Sequence, residues 1–169
     1  MPTPDFMQNL GVSALGSRLR RLFETLNAPV ADLYRSELAF EQRWFTLTLL
    51  LADRGALSVQ ACADAFGHSQ VAVIQIAKSM ESAELLERRK SPEAGRVALL
   101  DLTPEGSAKA KAVRRVRAQV DAAALALLNE AAPDFLANLG NLEHALRETP
   151  FAQLLAMHHP SALMEPRDD

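Results

Sequence analysis

Cysteine occurs once in the 169 residues, which excludes a disulfide within the chain and suits a reducing compartment. Rings are scarce too, with one Trp, one Tyr and seven Phe, while Ala and Leu dominate, a composition that favours helix over sheet. No apolar run approaches the roughly 18 residues that a membrane-spanning helix needs, so no membrane partner is expected. The opening MPTPDFMQNL has neither the basic segment nor the apolar stretch of a signal peptide, and the expected location is cytoplasmic. No Ser-His-Asp set, glycine-rich phosphate loop or metal-spaced cluster is present, so neither an enzyme, a cofactor nor a metal site is expected. His158 and His159 stand in a polar tail with no carboxylate before Glu165, and read as solvated side chains.

Excess positive charge is also missing, since the net formal charge is −3. Its distribution matters more than its sum, because a polyanion feels charge only within about 8–10 Å at physiological salt. From Leu57 to Arg117 there are ten basic and seven acidic side chains, a local +3 against −6 for the remainder. That asymmetry permits a nucleic-acid partner.

Helical periodicity organises most of the chain. Leu15, Leu19, Leu22, Leu26, Val30 and Leu33 recur at steps of three and four, predicting an amphipathic helix from about Val12 to Ser36. Pro29 lies inside this pattern without shifting its phase, so a kink or brief interruption is expected there. Trp44, Leu47 and Leu51 share a face of the next helix, with Phe45 and Leu49 beside it and Gly55 as its stop. Ser58 caps a third helix that buries Val59, Cys62, Ala63 and Phe66 and ends at Gly67; Cys62 reads as an inert core thiol. Ser69 opens a fourth helix with Val73, Ile76, Ala77 and Met80 inward and Gln70, Ile74, Gln75, Lys78 and Ser79 outward.

A hairpin follows. Leu85 to Arg89 and Arg96 to Leu102 can pair across a turn supplied by Ser91-Pro92 and Ala94-Gly95, concentrating Arg88, Arg89, Lys90 and Arg96 at one tip. Thr103-Pro104 then starts a long helix, where Val113, Val116, Val120, Ala123 and Leu127 step by three and four as in a coiled-coil seam. Beyond Pro133, Leu136, Leu139, Leu142 and Leu146 continue an apolar face, and Phe151, Leu154 and Leu155 form a last short turn.

Helix, glycine turn, helix and basic hairpin form the winged helix-turn-helix pattern. The chain resembles the MarR family of transcriptional regulators over roughly residues 12–155. The resemblance is carried by Leu57-Ser58, the stripe Val73-Ile76-Ala77-Met80-Glu81, Leu85-Leu86-Glu87-Arg88, the wing SPEAGR and the closing Leu102-Thr103-Pro104-Glu105-Gly106. The stretches GHSQVAVIQIAKSMESAELLE and Glu41-Gln42-Arg43-Trp44-Phe45 look like the branch whose members are sometimes fused to an N-acetyltransferase, a domain for which this chain has no room. The wing departs from the family's usual D-P-x-D-x-R, with Ser91 and Ala94 at the two acidic positions and Arg96 retained.

The resemblance implies a mainly α fold with a small β-hairpin wing, in which a winged helix-turn-helix core is flanked by long dimerisation helices. A single compact domain is expected, with a flexible start over 1–11, dimerisation helices over 12–40 and 107–158, the winged helix over 41–106 and a loose tail over 159–169. It further implies a homodimer on a pseudo-palindromic operator in double-stranded DNA. Ser69, Gln70, Ile74, Gln75, Lys78, Ser79, Arg88, Arg89, Lys90 and Arg96 would make the DNA contacts. A small aromatic effector would bind near Trp44 and Phe45. The net acidity, the altered wing and apolar Ile74 keep a second reading open, a MarR-like dimer that has lost specific DNA binding and serves protein interaction or ligand sensing.

Overall fold

Asp5 accepts a hydrogen bond from the Met7 amide at 3.1 Å and so caps a short helix α1 (Phe6–Asn9), within the segment expected to be flexible. The computed structural model describes residues 5–90 and 98–158. The chain divides into two compact units, Met1–Val120 and Asp121–Asp169.

In the first unit a turn of 3-10 helix over Gly11–Ala14 leads into α2 (Leu15–Leu38), which runs unbroken through Pro29. The ring removes one amide donor, and directly beyond it Val30 and Leu33 pack against the core. The helix stops because Ala39 turns left-handed, at φ 47°, and the Phe40 amide reaches back to the Tyr34 carbonyl at 3.2 Å. Lys109 adds a second stop, its Nζ donating to the Leu38 carbonyl at 2.8 Å. A 3-10 turn over Gln42–Trp44 enters α3 (Phe45–Arg54), which ends at Gly55 with φ 75°.

Next come β1 (Leu57–Ser58), α4 (Val59–Phe66), α5 (Gln70–Ser82), β2 (Leu86–Lys90) and β3 (Ala98–Leu102). Ser58 and Ser69 cap α4 and α5 as their spacing predicts, accepting from the amides of Ala61 at 3.1 Å and Ala72 at 3.3 Å. The strands form an antiparallel sheet in the order β1-β3-β2, with Leu57 opposite Leu100 and Leu86 opposite Leu102. Two-residue β1 is too short to leave a periodic signal, and the sequence suggested only the hairpin. Residues 91–97, which hold the expected turn and Arg96, lie outside the described residues.

The core joins Phe40, Trp44, Leu47 and Leu51 to Cys62, Val73, Ala77, Met80 and Leu100. Cys62 is fully buried, and loss of solvent pushes its thiol above the ordinary range, as an inert core residue requires. Thr103 fastens this core to α6 (Pro104–Ala131): its hydroxyl donates to the Glu84 carbonyl at 2.7 Å and accepts from the Gly106 amide at 2.9 Å. A Cβ on Gly106 would lie 2.0 Å from the Leu85 carbonyl oxygen, so no side chain fits there.

Two apolar stripes divide along their length. Val113 and Val116 are buried in the winged-helix core, and so do not belong to an intermolecular seam; Leu127 is exposed. On α2, Val30 and Leu33 pack against the core while Leu15, Leu19, Leu22 and Leu26 are exposed. In the second unit α7 (Phe135–Glu148) and α8 (Phe151–His158) bury no residue, and Leu136, Leu139, Leu142, Leu146, Phe151 and Leu155 stay open to solvent.

Candidate nucleic-acid interface and adjoining cleft

Helix α5 turns Val73, Ala77 and Met80 into the core, which leaves Val71, Gln75 and Lys78 exposed on the opposite side, while Gln70 is exposed at the helix start on the flank toward α4. Val71, Gln75 and Lys78 follow one another by four and three, a single stripe. Val71 is 63% exposed and belongs to this face, although as an apolar residue it was not among the expected contacts. Ile74 is half-buried.

Ser79 is a correction. It was expected on the outward face, yet its oxygen accepts from Trp44 Nε1 at 3.1 Å and from Arg43 Nη2 at 2.8 Å. Ser79 stands three residues after Ile76, on the flank of the buried stripe, and Trp44 needs an acceptor for its indole N–H. Both acceptor positions of this hydroxyl are therefore filled within the fold.

The hairpin carries its positive charge in compensated form. Arg88 Nε lies 2.7 Å from the Glu81 carboxylate on α5. Glu87 and Asp101 face each other across β2 and β3, and like charges so placed repel. Arg89 bridges them, at 2.6 Å from Glu87 and 2.9 Å from Asp101. Its hydrogen bond to Glu87, with the charge of Asp101, pushes the Arg89 pKa above its ordinary value. Lys90 is exposed at the end of β2. Two of the three described cations of the wing thus answer acids of their own chain.

Within the first unit, α2 and the entry to α3 line an open cleft of about 820 Å³. Phe23 and Phe45 supply ring surface to it; Arg35 and Arg43 line it too, Arg35 paired with Asp32 at 2.7 Å and Arg43 with Glu41, itself in the wall, at 2.5 Å. Gln42 also lines it, and its buried Oε1 has no hydrogen-bond partner among the described residues. Of the two expected ligand residues, only Phe45 is in the wall. Trp44 is 5% exposed and packs edge-on against Phe40 with ring centres 5.5 Å apart, because its hydrogen bond to Ser79 draws it inward. Arg43 touches both regions: it lines the cleft and holds Ser79 of α5.

No family model and no curated protein matches the sequence. Solved structures do match. The chain is similar to S. aureus MepR in its DNA complex, with a TM-score of 0.66 at 18% identity, covering 77% of this chain and 96% of that one. A MarR/EmrR family transcriptional regulator from Acinetobacter sp. ADP1 gives 0.64 at 19% identity, over 80% of this chain and 94% of that chain. The fold is the MarR-type winged helix. Bordetella bronchiseptica BpsR, whose DNA binding is regulated by 6-hydroxynicotinic acid, gives 0.59 at 21% identity over 77% and 98% of the two chains. In MarR-type terms α4 and α5 are the helix-turn-helix and β2 with β3 is the wing. No helix among the described residues is long and apolar enough to cross a membrane.

Proposed function

We propose that this protein is a DNA-binding transcriptional regulator that acts as a homodimer on a pseudo-palindromic operator. The carrying observation is the exposed stripe of α5 with Gln75 and Lys78, set beside the wing in a fold that MepR displays on DNA. Two such helices would enter successive major grooves about 34–36 Å apart. Lys78 and Lys90 provide phosphate contacts, joined by Arg88 and Arg89 where phosphate displaces their carboxylate partners, and by Arg96. The exposed leucines of α2, α7 and α8 support dimerisation through the terminal helices.

The cleft supports a small aromatic effector bearing an anionic group. Phe23 and Phe45 would stack on the ring, and Arg35 or Arg43 would take the charge. An anion on Arg43 competes with Ser79 for the same guanidinium, so ligand binding and the position of α5 share one residue. Such a ligand shifts α5 only as far as it binds the two arrangements differently. Titration with aromatic acids should raise the melting temperature and lower DNA affinity; if neither moves, the effector part of this reading fails.

A second reading has its own support: a MarR-type dimer without specific DNA binding, used for ligand sensing or protein interaction. Intramolecular pairing of Arg88 and Arg89 favours it. Binding to random DNA fragments measured against salt separates the two, since each neutralised phosphate adds about 0.9 to the logarithmic salt slope. A steep slope with sequence enrichment supports the regulator; a flat one supports the alternative.

A further inference from the structure

Helix α5 opens on Gln70, an exposed amide at the end of the helix whose first residues touch base edges in helix-turn-helix proteins. Its amide is held. Gln60, on α4, donates from Nε2 to Asp64 Oδ1 at 2.6 Å, and Gln60 Oε1 accepts from Gln70 Nε2.

The direction of this chain is set by chemistry. An ionised carboxylate only accepts, so the edge of Gln60 that meets Asp64 must be its NH₂. Its oxygen then faces Gln70, and the edge of Gln70 that meets it must likewise be NH₂. Among the described residues, Gln70 is left with an unpartnered Oε1 and one uncommitted N–H. Adenine offers a donor at N6 and an acceptor at N7, the complement of that pair. Guanine offers acceptors at both N7 and O6, and a lone glutamine could meet them only by donating both amide hydrogens. One of those hydrogens is already given to Gln60.

We propose that Gln70 reads an adenine in each half-site, and that Gln60 and Asp64 are positioning residues that set its amide against guanine. This rests on the DNA-binding reading and adds the base that is read. The sequence showed Gln70 as a candidate contact, but nothing in it linked α4 to α5 through these side chains.

The test is selection from a random double-stranded DNA pool by the full-length protein, comparing wild type with Gln70→Ala and Gln60→Ala. All three side chains of the relay are exposed, so unchanged melting temperatures are expected and verify folding. Wild type should enrich one strongly preferred adenine per half-site. Gln70→Ala should flatten that position alone, lowering the adenine preference about tenfold. Gln60→Ala should keep binding but admit guanine there, because the second amide hydrogen is released. An unchanged motif with Gln70→Ala overturns the proposal, as does undiminished adenine-over-guanine selection with Gln60→Ala. If wild type enriches no sequence, the DNA-binding reading falls first and this inference with it.

Discussion

Gly106 shows how a motif visible in a sequence acquires its physical reason only in three dimensions. A methyl at this position would gain about 1 kcal/mol of helix propensity. It would also meet the Leu85 carbonyl oxygen at 2.0 Å, and backbone cannot yield as a flexible side chain can. Overpacking of this kind costs about 1–3 kcal/mol or more, so Gly106→Ala should lower stability by at least about 1 kcal/mol net in urea unfolding. Ala39 has the reverse sign. Held left-handed at φ 47°, it carries strain that glycine lacks, and Ala39→Gly should raise stability by about 0.5–1 kcal/mol after the added unfolded-state entropy is subtracted. Cys62 makes a third case. Burial favours its neutral thiol, so the folded chain holds that proton more tightly than the unfolded chain. Above the ordinary value of 9.0 the unfolded chain loses its proton first, and stability should fall with rising pH in wild type but not in Cys62→Ala. Matching pH–stability curves for the two proteins would remove Cys62 as the cause. Ser79 and Val71 mark the limit of periodicity: it places a residue on a face but cannot say that an indole across the core needs its hydroxyl, or that an apolar residue stands outside.

The wing and the long helices make the same point for elements. Serine caps, glycine stops and the buried stripe of α5 are local signals, and they led directly to the helix-turn-helix. Strand β1 depends on pairing with β3 across some forty residues of chain, and two residues carry no period by which to find it. The run from Val113 to Leu127 has one uniform spacing but two environments, because spacing cannot reveal where the core ends. Charge is similar. Arg88 and Arg89 look like free cations in a sequence, whereas folding brings Glu81, Glu87 and Asp101 against them. The pairing predicts an opposing effect of two substitutions. Glu81→Gln should release Arg88 for phosphate, strengthening DNA binding and steepening the logarithmic salt slope by about 0.9 if one further contact forms. Arg89→Ala should instead leave Glu87 facing Asp101 and lower stability by about 1 kcal/mol. A Glu81→Gln variant with wild-type affinity and salt slope would show that Arg88 has no part in binding.

For the whole molecule the decisive quantity is apolar surface left uncovered. Leu15, Leu19, Leu22 and Leu26 on α2 are each 44–52% exposed, and α7 and α8 expose leucines along their length without burying one. Single exposed leucines are ordinary, but rows of them on successive helical turns mark a surface that another molecule covers. The proposed second copy would cover the row on α2, since isologous contact sets the same apolar patch against itself. Leu22→Glu tests this with little cost to the isolated fold, since the side chain is 44% exposed and makes no part of the buried core. A monomer would accept the carboxylate in water. A dimer would bury two of them, one from each copy, at several kcal/mol if left unpaired. The expected result is wild type sedimenting as a dimer at micromolar concentration with a melting temperature that rises with concentration. Leu22→Glu should sediment as a helical monomer, and its operator affinity should drop, because two linked reading helices bind far more tightly than either alone. Wild type that sediments as a monomer, or a Leu22→Glu variant that still sediments as a dimer, would move the interface away from α2.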